Sequence, residues 1–127
     1  MQVRESITVS PLDRSKSKNT TALFDTGAKF TFINTSLGKE LGFTRYREPK
    51  RVQLAVRGKE GKIVGETSLI FTVAGCEIPL PIQTYVVEDL MEDAIIGTNF
   101  MEGFDVSLDL KEGRAEFRRY PPEVRLI

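Results

Sequence analysis

Histidine and tryptophan are missing altogether from the 127 residues, and cysteine occurs once. Without histidine the chain cannot build a serine–histidine or cysteine–histidine nucleophile, nor a histidine-ligated zinc. Cys76 has no partner for an internal disulfide and sits in the turn sequence Ala74-Gly75-Cys76-Glu77, where a structural role is expected. A reducing, cytoplasmic setting is the matching expectation. An excess of one charge sign is also missing, because 18 lysines and arginines balance 18 aspartates and glutamates. No net field therefore draws the chain to nucleic acid or to an anionic membrane. The basic groups Arg45–Arg51 and Arg118–Arg119 read as solvated faces. Long apolar runs are absent too: the stretch Leu69–Cys76 is broken by Thr72 and Gly75, short of the roughly 18 residues a membrane span needs. The start, Met1-Gln2-Val3-Arg4-Glu5, lacks the apolar segment of a signal peptide. What chemistry is left belongs to carboxylates.

What is present is a chain of short apolar segments cut by turn residues, long enough for one modest core and read as a single domain. Ser6–Val9 and Thr20–Phe24 read as strands, and Phe30–Ile33 resumes after the turn Asp25-Thr26-Gly27-Ala28. Asn34, Thr35 and Ser36 offer caps for a short helix, with Leu37 and Leu41 one turn apart and Gly42 at its end. Val52 and Leu54 lead into Arg57-Gly58-Lys59-Glu60-Gly61, a hairpin tip, and Lys62–Val73 returns as a long strand. Ile78–Val87, with Pro79 and Pro81 near its start, suits an edge or bulged strand. Ala94-Ile95-Ile96-Gly97 is short and apolar, and Thr98 or Asn99 is placed to cap a brief helix over Phe100, Met101 and Phe104. Val106, Leu108 and Leu110 alternate, turn at Lys111-Glu112-Gly113, and return through Ala115 and Phe117. The tail over 120–127 reads as a loose end or a strand at a dimer edge.

The informative segment is Ala22-Leu23-Phe24-Asp25-Thr26-Gly27-Ala28. An aspartate directly after an apolar strand is costly to ionise unless it finds partners. Gly27 allows a tight turn and a close approach by another backbone, and the Thr26 hydroxyl can bond backbone groups within the turn. One carboxylate on such a ledge does little. Two facing each other cannot comfortably both ionise, so they share a proton, one serving as base towards water and the other as acid. No second Asp-Thr-Gly or Asp-Ser-Gly occurs, and Asp13, Asp89, Asp93, Asp105 and Asp109 all have other neighbours. A partner acid would have to come from a second chain.

The segment Ala22–Asn34, ALFDTGAKFTFIN, resembles the catalytic turn of the retropepsins, the aspartic proteases of retroviruses, gypsy-type retrotransposons and cellular relatives. About 70 residues later, Ala94-Ile95-Ile96-Gly97 resembles the strand that these proteins lay beside that turn. The run GTNFMEGFDVSLDLKEGRAEF that follows from Gly97 is similar to the helix and closing hairpin of the retrotransposon branch. The order of motifs matches over most of residues 6–118. The resemblance implies an all-β, closed-barrel fold with one or two short helices and a flap, here the hairpin tipped by Arg57, Gly58, Lys59, Glu60 and Gly61. It further implies an obligate homodimer that hydrolyses polypeptides with two Asp25 carboxylates and no cofactor or metal. Thr26 would brace the pair across the interface, Gly27 would bind substrate backbone, Ala28 would keep the cleft floor small, and Ile95, Ile96 and Gly97 would line the turn. In the retroviral branch, the position after Asp-Thr-Gly-Ala is commonly acidic and pairs with an arginine after Ile-Ile-Gly; here these positions are Lys29 and Thr98. The chain is thus closer to the retrotransposon and cellular branches. The alternative is a silent module with the same fold and dimer that holds a peptide or partner protein without cutting it.

Overall fold

The computed structural model describes residues 1–53 and 60–118. Ten strands and two short helices follow one another along the described chain: β1 (Gln2–Pro11), β2 (Lys18–Asp25), β3 (Thr31–Asn34), α1 (Thr35–Leu41), β4 (Thr44–Gln53), β5 (Glu60–Val73), β6 (Cys76–Glu77), β7 (Ile82–Glu88), β8 (Ala94–Ile96), α2 (Thr98–Gly103), β9 (Val106–Asp109) and β10 (Arg114–Phe117). Eight strands form one sheet in the order β1-β2-β8-β3-β7-β5-β4, with β6 attached to β5, while β9 and β10 make a separate hairpin. β5 also pairs with β1, Ile7 opposite Val73 through Pro11 opposite Leu69, so the path of pairing returns to its first strand.

Alternation along the strands explains which side faces inward. Ile7 and Val9 of β1, Ala22 and Phe24 of β2, Ile33 of β3, Leu69, Phe71 and Val73 of β5, Val86 of β7 and Ala94 and Ile96 of β8 share one buried cluster. Phe100 is its centre: its ring lies 6.3 Å from Phe24, 6.2 Å from Phe71 and 5.4 Å from Phe104. α1 adds Leu37 and Leu41, and its start is held by the Asn34 side chain accepting from the Leu37 N–H at 2.8 Å.

Three elements differ from the sequence reading. β4 begins at Thr44, taking in the basic stretch that hydrophobic alternation does not reveal; it is almost wholly exposed and, among the described residues, pairs with β5 alone. The segment around Pro79 and Pro81 is not strand: β7 starts at Ile82, because neither proline can donate to a ladder. α2 is capped by Gly97, not by Thr98 or Asn99, and no side chain bonds its first N–H groups. Arg57, Gly58 and Lys59 of the expected hairpin tip, and the 120–127 tail, lie outside the described residues. No helix among the described residues is long and apolar enough to cross a membrane.

Candidate active site

Asp25 ends β2, and the turn after it leads to β3, yet β2 and β3 do not pair. β8 lies between them, parallel to β2 with Leu23 opposite Ile95 and Phe24 opposite Ile96, and antiparallel to β3 with Phe32 opposite Ile95. The turn therefore arches over the end of a third strand that comes from far along the chain. Gly97, at the end of β8, runs directly beneath it. A Cβ at Gly97 would stand 2.2 Å from the Phe30 carbonyl oxygen and 2.7 Å from that of Ala28, so only glycine fits. The first residues of α2 then bond to the turn: Thr98 N–H donates to the Ala28 carbonyl at 2.8 Å, and Asn99 N–H to that of Lys29 at 3.1 Å. Lys29 and Thr98 lack the charge pair of the retroviral pattern, and the backbone ties their segments instead, Thr98 to Ala28 and Asn99 to Lys29.

Below the turn, a fully buried threonine completes the support. Thr31 Oγ1 donates to Asn99 Oδ1 at 2.9 Å and accepts from the Gly97 N–H at 3.4 Å. Composition offers no sign of this link, since Thr31 lies 66 and 68 positions from its two partners.

Asp25 is 4% exposed, and each oxygen of its carboxylate has its own donor. Gly27 N–H donates to Oδ1 at 2.8 Å, and the Gln2 side-chain amide donates to Oδ2 at 3.2 Å. Gln2 is the direct cross-strand partner of Asp25 on β1. Next to it, the Met1 carbonyl accepts from Thr26 N–H at 3.1 Å and from Thr26 Oγ1 at 3.4 Å. Thr26 and Gly27 are exposed and Ala28 is half-buried, so the turn's outer side is open.

Asp25 shares its sheet face with Leu23, two residues before it. The strand register extends this face sideways through Ile95, Phe32 and Tyr85 as successive neighbours, bounded by Arg4 at one end and Glu66 at the other. Leu23 and Ile95 are 2% and 5% exposed, although neither belongs to the central cluster. Phe30, 49% exposed, stands edge-on to Tyr85 at 5.7 Å. Arg4 is paired with Glu92, which pushes its guanidinium further up from its ordinary value. An acid beside an apolar, aromatic floor suits an extended chain carrying apolar side chains.

Ile95 and Gly97, singled out in the sequence, therefore adjoin the turn, whereas Ile96 faces the central cluster beside Phe24. Of the expected hairpin tip, only Gly61, buried opposite Val52, has a described environment. Gln2 and Thr31 were not singled out in the sequence, and Asn99 only as a candidate helix cap. Leu23 could have been, as the residue two before an exposed-side acid on a strand.

Among the described residues, no group of three or more cysteines and acids is placed to hold a metal ion. A surface hollow of about 500 Å³, lined in part by Leu12, Asp13, Glu66 and Gln83, lies apart from Asp25.

A model of gag-polyprotein putative aspartyl proteases matches residues 15–103, more than half of the chain. No curated protein sequence matches. Among solved structures, the retroviral protease-like domain of Ddi1 from Leishmania major is similar over 97% of this chain and 94% of its own, with a TM-score of 0.65 and 20% identity. The EIAV protease complexed with the inhibitor HBY-793 is similar over 87% and 94%, with a TM-score of 0.57 and 17% identity. A retropepsin-like aspartic protease from Rickettsia conorii gives 86% and 84%, with a TM-score of 0.55 and 14% identity.

Proposed function

Because the chain belongs to the family of gag-polyprotein putative aspartyl proteases, with a retropepsin-like fold, we propose that it is an aspartic endopeptidase working as a C2 homodimer. The observation that carries this is the position of Asp25: a buried carboxylate on an exposed turn, at the edge of an apolar floor, with one donor to each oxygen. The chain's five other aspartates lie elsewhere: Asp89 turns the chain after β7 at φ 60°, and the remaining four have different work. Asp93 accepts from Thr20 and from both the backbone and side chain of Asn34; Asp13 and Asp109 cap turns; Asp105 lies 3.9 Å from Arg118. The second carboxylate of the dyad is therefore the twin Asp25 of another copy.

In that dimer one carboxylate, ionised, removes a proton from water while the other, protonated, donates to the scissile carbonyl, and the roles exchange as the amine leaves. Gly27 N–H keeps Oδ1 an acceptor. Thr26, exposed beside the acid, turns its hydroxyl from Met1 to the opposite turn and braces the pair. Gly27 and Ala28 offer a low rim to substrate backbone, and Leu23, Ile95 and Phe32 receive its side chains. The β4–β5 hairpin covers the cleft and keeps bulk water from the reaction. The return of strand pairing to β1 is in keeping with a closed barrel. An obligate interface of this kind buries on the order of 2,000 Å².

The decisive experiment pairs Asp25→Asn with sedimentation. Cleavage of a peptide library by the wild type, its loss by at least about 1,000-fold in the variant, and a dimer mass for both are expected. A wild type that dimerises and binds a statine-type peptide without cutting any substrate is instead a binding module. A monomer at high concentration removes the dyad.

A further inference from the structure

We infer that Gln2 is a positioning residue for Asp25 and that its neutral amide serves both protonation states of that carboxyl; this rests on the dyad reading above. The contact is built into the sheet. Gln2 lies directly opposite Asp25 in the β1–β2 ladder, and its Nε2 donates to Oδ2 at 3.2 Å. The backbone of β1 is fixed on both sides of it: Met1 holds Thr26 N–H, Val3 is 4% exposed, and Arg4 is paired with Glu92. With Gly27 N–H on Oδ1, the two donors set the plane of the carboxylate, which would otherwise rotate freely about its last bond.

The residue type matters as much as the place. During turnover each acid alternates between ionised base and protonated acid. An ionised carboxylate needs a donor opposite Oδ2, and a protonated one needs an acceptor. The Gln2 amide provides either by a half-turn about its terminal bond, at no cost in charge. A lysine or arginine there would favour only the ionised form, and a glutamate would add negative charge beside each acid of a crowded pair.

The test compares Gln2→Leu, which removes the amide and is one atom shorter, with the isosteric Gln2→Glu; both keep the β1 backbone pairing. For Gln2→Leu, kcat falls by about tenfold, the value of one hydrogen bond to a charged group, with KM held within about twofold. Gln2→Glu falls further at neutral pH. Both retain the wild-type dimer mass at the assay concentration, so kcat is read on the folded dimer. A Gln2→Leu enzyme with unchanged kcat overturns the inference, as does a loss carried by KM, which would make Gln2 a substrate contact. A second arm does not need activity. The side-chain amide resonances of Gln2 should move in Asp25→Ala while those of Gln53, on β4, stay in place; unmoved Gln2 resonances would mean that the contact does not exist in solution. Should the wild type cut no peptide at all, the peptidase reading falls by itself, and this arm still decides whether Gln2 holds Asp25.

Discussion

Around Asp25–Phe30, every neighbouring element is tied to the turn: β8 passes beneath it, α2 donates two backbone N–H groups to it, and β1 holds its first residues. Along β4 the situation is reversed. Among the described residues its one partner strand is β5, its register slips between Arg45 and Lys50, and Thr44–Gln53 is exposed at all but Tyr46 and Val52. Its base is pinned, since a Cβ at Gly65 would lie 2.3 Å from the Thr44 carbonyl oxygen. Beyond that point it carries arginines, a lysine and Pro49, features that keep an edge strand from pairing with strangers. Under the proposed function, with β4 and β5 as the flap, a fixed floor beside a lightly held cover is what hydrolysis in a closing cleft would require.

That contrast can be broken at the floor first. Gly97→Ala forces a methyl group into the carbonyls of Ala28 and Phe30 and should cost about 3 kcal/mol or more; a denaturant melt near the wild-type midpoint would show that the turn is not rigid. Thr31→Val keeps the shape but removes the partner of the Gly97 N–H and of Asn99. It should cost about 1–3 kcal/mol, and hydrogen exchange at Gly97 should quicken. The cover should hardly respond: Arg47→Thr on exposed β4 should change unfolding free energy by less than about 0.5 kcal/mol. A larger effect there would mean that β4 is held by more than β5.

Much of the floor was legible because its signals are local. Asp25-Thr26-Gly27 announces a turn after an apolar strand, and the unbroken run Ala94-Ile95-Ile96 suits a strand buried between two others. Asn34 was legible as a cap for the same reason: its bond to Leu37 spans three residues. β4 was not, because an exposed edge strand has no apolar alternation to betray it. The α2 cap was misplaced because Gly97 is selected by its contact with the turn, not by helix-end chemistry.

By itself, then, the order of residues determined the turn that bears Asp25, most of the strands and the lack of a second Asp-Thr-Gly or Asp-Ser-Gly. Tertiary structure alone decided that β8 separates β2 from β3, that Thr31 meets Asn99 across 68 positions, and that Gln2 reaches Asp25 across 23. The reason lies in what each choice depends on. Turns and caps are energies of neighbouring residues, whereas strand order and long-range hydrogen bonds are settled only when the whole sheet closes over its core.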